Sequence, residues 1–132
     1  MAQDREDTGS SKDFALLSQT AHGTDMGNLL RQFWQPVALS AQAEPGKAVA
    51  IRMFGEELAF YRGEGGEAHL VANQCAHRCT SLHTGWVEGD DIRCVYHGWK
   101  YDGTGQCREI PSESDDLAAT VRIAGYPVHE YG

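Results

Sequence analysis

The 132-residue sequence predicts a mainly β domain, an antiparallel sandwich or barrel preceded by a short N-terminal helix. Three observations carry that expectation. After Pro36 the apolar residues fall in short runs rather than at helical spacing. Gly-rich turns separate those runs at roughly the 8 to 12 residue spacing of sandwiches, and the chain holds 15 Gly to supply them. Before Pro36, Met26, Leu29, Leu30 and Phe33 recur at i, i+3, i+4 and i+7 behind Thr24, a residue able to cap a helix.

In chain order, residues 1–12 are small, polar and charged and are expected to be frayed. The helix from Thr24 stops near Trp34, before Pro36. Strand-like runs follow at Val37 to Leu39, Ala48 to Phe54, Leu58 to Tyr61 and Ala68 to Ala72, then at Ile92-Arg93, Trp99 to Tyr101, Cys107 to Ile110 and Val121 to Ile123. Tyr126 to Tyr131 reads as a last strand whose returning partner is missing, an unpaired edge that a complete domain avoids. Glu88 to Asp91 and Glu113 to Asp116 read as solvated acidic loops. The organisation expected is a flexible lead-in and helix over 1–35 and one β domain over 36–132.

Eleven Lys and Arg against nineteen Asp and Glu leave a formal charge of -8, which argues against a nucleic-acid partner held through phosphates. No apolar stretch is long enough to span a bilayer, and the first residues lack the basic and apolar regions of an export signal, so a cytoplasmic protein is expected. Four Cys in such a chain would stay reduced, which turns attention to metal ligation.

Cys75-Ala76-His77 is followed, after sixteen residues, by Cys94-Val95-Tyr96-His97. Each short loop offers one thiolate and one imidazole, and each follows a strand-like run. Thiolate suits iron–sulfur clusters and zinc, and imidazole accepts either. A Cys and a His separated by one residue do not easily wrap one tetrahedral ion but can reach two adjacent irons. That spacing favours Cys75 and Cys94 on one iron and His77 and His97 on the other. Zinc stays open as the alternative, because Cys75, Cys79, Cys94 and His97 also form C-x3-C and C-x2-H.

At these residues the sequence resembles the Rieske family, whose pattern is C-x-H, fifteen to seventeen residues, then C-x-x-H. The text from Cys75 to Gly85, from Arg93 to Cys107 and from Ile110 to Glu113 resembles the alpha subunits of Rieske non-haem iron oxygenases, the phthalate dioxygenase type in particular. The likeness reaches upstream to Met26–Val37, a lead-in that small Rieske ferredoxins lack. It implies a Rieske-type antiparallel sandwich with a two-loop cluster-binding subdomain and a 2Fe-2S cluster held by Cys75, His77, Cys94 and His97. It also implies single-electron transfer from a reductase or ferredoxin to a mononuclear iron. That iron belongs to a second domain, where the aromatic or related substrate is oxygenated, in a full-length protein that is typically homo-oligomeric. A free-standing ferredoxin and a zinc-stabilised binding module are the alternatives.

The mononuclear iron pattern places two His four or five positions apart, and no pair among the six His here has that separation. The chain is therefore expected to be a fragment cut inside its Rieske domain, without the catalytic iron site. Relative to the high-potential Rieske proteins, Trp99 stands where a Ser hydroxyl would donate to sulfur, and Tyr96 replaces the second loop's disulfide Cys. Cys79 is then expected to be a free loop residue and Cys107 to be packing. Gly98 is expected to allow close backbone approach to the cluster. His83 lies in the first loop as a surface group or partner contact, while His22, His69 and His129 have no constellation around them.

Overall fold

A computed structural model describes residues 10–131, which divide after Pro36 into two compact units. The first unit holds α1 (Ser10–Ser18) and α2 (Asp25–Leu30). α1 was not expected. Ser10 to Lys12 open this helix rather than belonging to a frayed stretch, Asp13 sits in its first turn, and Ala15, Leu16 and Leu17 are good helix formers; the fraying expected of residues 1–9 lies outside the described residues. α2 begins where predicted, with the Thr24 hydroxyl accepting the Gly27 amide at 3.1 Å. It ends at Leu30 instead of reaching Trp34, and Leu29 and Phe33 are exposed.

The second unit carries two four-stranded antiparallel sheets among the described residues. One has the order β1 (Ala48–Met53), β2 (Glu56–Arg62), β3 (Ala68–Ala72), β8 (Gly125–Tyr126). The other runs β4 (Trp86–Glu88), β5 (Asp91–Arg93), β6 (Lys100–Tyr101), β7 (Cys107–Glu109). This is the mainly β, two-sheet fold that the short runs predict.

β2 shows how the pattern builds two cores. Side chains alternate across a strand, so Leu58 and Phe60 pack with Ala43 and Leu70, while Ala59 and Tyr61 pack with Val71, Ile92, Tyr101 and Cys107 in the larger core. That larger core is shared by residues of both sheets, and it contains Cys75 and Cys94.

Several elements differ from expectation for visible reasons. β1 stops at Met53 because Phe54 and Gly55, with φ of 51° and 79°, form the two-residue turn that lets Met53 pair with Glu56. Val37 to Leu39 forms no strand; Val37 and Ala38 pack against the smaller core instead. Glu88 and Asp91 are not a free loop, since they pair across the β4–β5 hairpin. The acidic run after Glu113 becomes α3 (Asp115–Thr120), capped by Ser114 and seated by buried Ala118. Val121 to Ile123 contributes a single bridge between Gln106 and Arg122. The expected strand over Tyr126 to Tyr131 shortens to Gly125–Tyr126, paired with β3.

Arg62, at the end of β2, gathers the edges of the first sheet. It donates to the carbonyls of Ala43, Ser40 and Gly66 and grips both carboxylate oxygens of Glu130, at 3.0 and 2.6 Å. Those hydrogen bonds hold the Glu130 carboxyl down at about 2. Ile92, fully buried in the larger core, should show the weight of that core. Ile92→Ala is expected to cost about 2–5 kcal/mol in urea unfolding. The Glu130 contribution has the opposite pH logic to a histidine's: it is complete above the ordinary carboxylate range and is lost as pH falls through about 2. Glu130→Gln should therefore lower stability slightly at neutral pH, with the difference from the parent shrinking and vanishing as pH falls through about 2.

Candidate metal centre

Two loops of the same construction project from the sheets. The first follows β3, where Cys75 N–H donates to the Thr80 carbonyl at 2.9 Å and Cys79 N–H donates back to the Cys75 carbonyl at 2.9 Å. The second joins β5 to β6, where Cys94 N–H donates to the Trp99 carbonyl at 2.8 Å and Gly98 N–H donates to the Cys94 carbonyl at 3.1 Å. Each loop thus closes on its own Cys, with the fifth residue in the left-handed region: φ is 54° at Cys79 and 76° at Gly98. Gly98 is there for the turn, and a Cβ on it would come within 3.0 Å of Pro111 Cγ.

This construction sorts the four predicted donors into two kinds. Cys75 and Cys94 are each only 2% exposed and lie in the same larger core. Burial pushes the Cys75 thiol up, so an ionised sulfur there needs a cation beside it. His77 and His97 are exposed, with ring centroids 4.6 Å apart in an edge-to-face arrangement. His77 also stacks on the Trp99 indole, at 4.8 Å and 3° between planes, and Tyr96 lies 3.8 Å from His97. Desolvation, then the neighbouring His97 and Arg78, lower the His77 pKa, which favours the neutral imidazole that binds metals.

A buried thiol pair and an exposed imidazole pair form a donor set that fits a dinuclear cluster with unlike ends better than one tetrahedral ion. Among the described residues no three His, Cys, Asp or Glu side chains converge on a single ion position. Cys79, which the zinc arrangement needs, is exposed while Cys75 and Cys94 are buried.

The Rieske [2Fe-2S] domain profile matches residues 33–127. The chain belongs to the Rieske family. It is 39% identical over 123 residues to the oxygenase subunit of 3-chlorobenzoate-3,4-dioxygenase from Comamonas testosteroni, a match covering 91% of this chain and 28% of that protein. It is 36% identical to the oxygenase subunit of phthalate 4,5-dioxygenase from Pseudomonas putida, over 89% of this chain and 28% of the relative. The chain thus spans little more than a quarter of the length of each of these two relatives. Among solved structures, dicamba monooxygenase bound to dicamba superposes with a TM-score of 0.69 at 27% identity, covering 77% of this chain and 32% of that one.

Within the Rieske domain, the sequence reading missed three groups that shape the site. Tyr101, fully buried, accepts the Ala76 amide at 3.1 Å and sits 3.3 Å from the Cys75 sulfur, so its hydroxyl hydrogen is free to donate to a thiolate. The signal was present in the strand alternation, which turns Tyr101 inward two residues after Trp99. Asn73, 2% exposed, receives both the His83 amide and His83 Nδ1 at 3.0 Å, so His83 braces the base of the first loop. Arg93 was read only as a strand residue, yet it lies among Glu88, Glu109 and the second loop.

Cys107 is buried packing, as expected, and Cys79 is a free exposed thiol. His69 leans on Tyr61, with ring centroids 5.0 Å apart, and its buried Nε2 has no hydrogen-bond partner. His129 stacks edge-on to Tyr131. The equivalence of Cys79 and Gly98 gives two substitutions of opposite sign. Gly98→Ala should destabilise the fold by about 1–2 kcal/mol through its left-handed turn, whereas Cys79→Gly should raise the thermal midpoint slightly.

Proposed function

We propose that this chain is the electron-transfer module of a larger Rieske oxygenase alpha subunit, with Cys75 and Cys94 holding one iron of the cluster and His77 and His97 the other. Residues 36–132 form the cluster-binding domain in this reading, and residues 1–35 lead into it. The observation that carries it is the division of the donors: both sulfurs are buried and both imidazoles face solvent. When bound, the cluster supplies a one-electron couple.

The chain's own residues set the conditions for that couple. The larger core keeps water from the sulfurs. Tyr101 places a hydroxyl on Cys75, which favours the more negative, reduced state. Trp99 and the two loop turns hold the imidazoles outward, so the histidine edge is where a partner approaches. The electron donor is a reductase or ferredoxin, and the acceptor is a mononuclear iron carried outside these residues, where an aromatic or related small molecule is oxygenated. Among the described residues no helix is long and apolar enough to cross a membrane. A cytoplasmic, homo-oligomeric full-length protein fits this role.

Anaerobic reconstitution tests the assignment. The chain should take up two irons and two sulfides. His77→Cys and His97→Cys should move the potential down toward the value of about -400 mV found with all-thiolate ligation, and Cys79→Ser should leave it unchanged. Loss of the cluster in Cys79→Ser together with its retention in His77→Ala would falsify the ligand set. Tyr101→Phe should also lower the potential in protein-film voltammetry, because one hydrogen bond to sulfur is removed without opening the core.

A further inference from the structure

Arg93 ends β5 one residue before Cys94, and its side chain is only 14% exposed. Its guanidinium is saturated. Nε and Nη2 donate to the two carboxylate oxygens of Glu88 at 2.7 and 2.8 Å. Nη1 and Nη2 donate to those of Glu109 at 3.1 and 2.9 Å. The remaining Nη1 hydrogen goes to the Gly98 carbonyl at 2.7 Å. Glu88 lies on β4 and Glu109 on β7, so the fork is fixed from both sides of β5 and β6 before it reaches the loop. Lys100, 3.2 Å from Glu109 and 3.9 to 4.0 Å from Glu88 and Asp91, adds a second cation to the group.

The fifth contact separates this group from an ordinary strand ion pair. The Gly98 carbonyl belongs to the peptide that leads into Trp99, and the Trp99 ring lies parallel to His77 of the other loop. A rotation of that peptide would turn Trp99 away from His77 and release the Cys94–Trp99 hydrogen bond that closes the second loop. We propose that Arg93 is a positioning residue: by holding the Gly98 carbonyl it fixes the second loop and, through Trp99, the ring of His77. The two imidazoles are thereby kept at the spacing the cluster requires. This rests on the ligand reading above. Charge alone does not suffice for it, because a lysine ammonium keeps the positive charge but cannot span two carboxylates and a carbonyl in one plane.

The test compares the reconstituted 132-residue chain with Arg93→Lys, following visible absorbance as a chelator withdraws iron, the visible circular dichroism of the oxidised cluster, and the thermal midpoint of the metal-free protein. Arg93→Lys should bind its cluster about ten- to a hundredfold less tightly, the range seen when groups that orient metal ligands are removed, and so lose it faster to the chelator, and its visible dichroism should change beyond any fall in the metal-free midpoint that the lost carboxylate bonds cause. Parental release and dichroism in Arg93→Lys would overturn the proposal. So would faster release accompanied by a matching fall in the metal-free midpoint and unchanged dichroism, since that describes a residue that only supports the sheet. Should Arg93→Lys fail to fold, Glu109→Gln keeps the arginine and its Gly98 contact but weakens the anchor. A smaller acceleration is expected there, and parental release would again refute the role. Failure of the ligand reading looks different: the parent chain would take up no cluster, or His77→Ala would keep one with parental spectra, and the positioning role would fall with it.

Discussion

Two cysteine sulfurs placed side by side in a dry interior set the terms for the rest of this structure. Ionised, they repel each other and lack solvation, and an uncompensated charge in such a place is prohibitively costly. A metal centre resolves the conflict, provided that the chain brings both sulfurs to one spot and supplies ligands for the far side. β3 delivers the first loop and the β5–β6 connection the second. The larger core, shared between the sheets, seals the sulfurs from below. What remains outside is the imidazole pair, a polarity that suits the proposed electron carrier, with one insulated end and one open to solvent.

The same demand explains why the loops are nearly copies of each other. A thiolate directed inward and an imidazole directed outward, within three or four residues, require a sharp reversal of the backbone. Both loops achieve it with a left-handed residue four positions after the Cys. In the second loop that residue is Gly98, the cheap solution. In the first it is Cys79, so a thiol occupies a position chosen by backbone conformation, and neither the zinc pattern nor a disulfide is needed to account for it.

Much of this was legible beforehand because it is local. Loop spacing points to four candidate donors, short apolar runs mark β2 and β3, and Thr24 marks the start of α2. Elements that exist through strand pairing and side-chain contacts rather than through composition were not legible. β4 is three residues long and exists through its pairing with β5, and Val37 to Leu39 has strand composition but no strand beside it. Glu88 read as a solvated acid because Arg93 and Lys100 reach it only after the hairpin closes. Tyr101 read only as the end of a strand-like run, since nothing in its neighbourhood of sequence says that its hydroxyl will meet the sulfur of Cys75.

The position of the centre has a mechanical consequence. Cys75 and His77 leave the end of a strand in one sheet, while Cys94 and His97 lie between two strands of the other. With the proposed ligands, a bound cluster would be a cross-link between sheets, closing the chain from one loop to the next much as a disulfide closes a ring. On loop-entropy grounds, closing a ring of this size is worth about 3 kcal/mol. Under that reading, extraction of the metal would remove this closure and leave the shared core alone to hold the two sheets together.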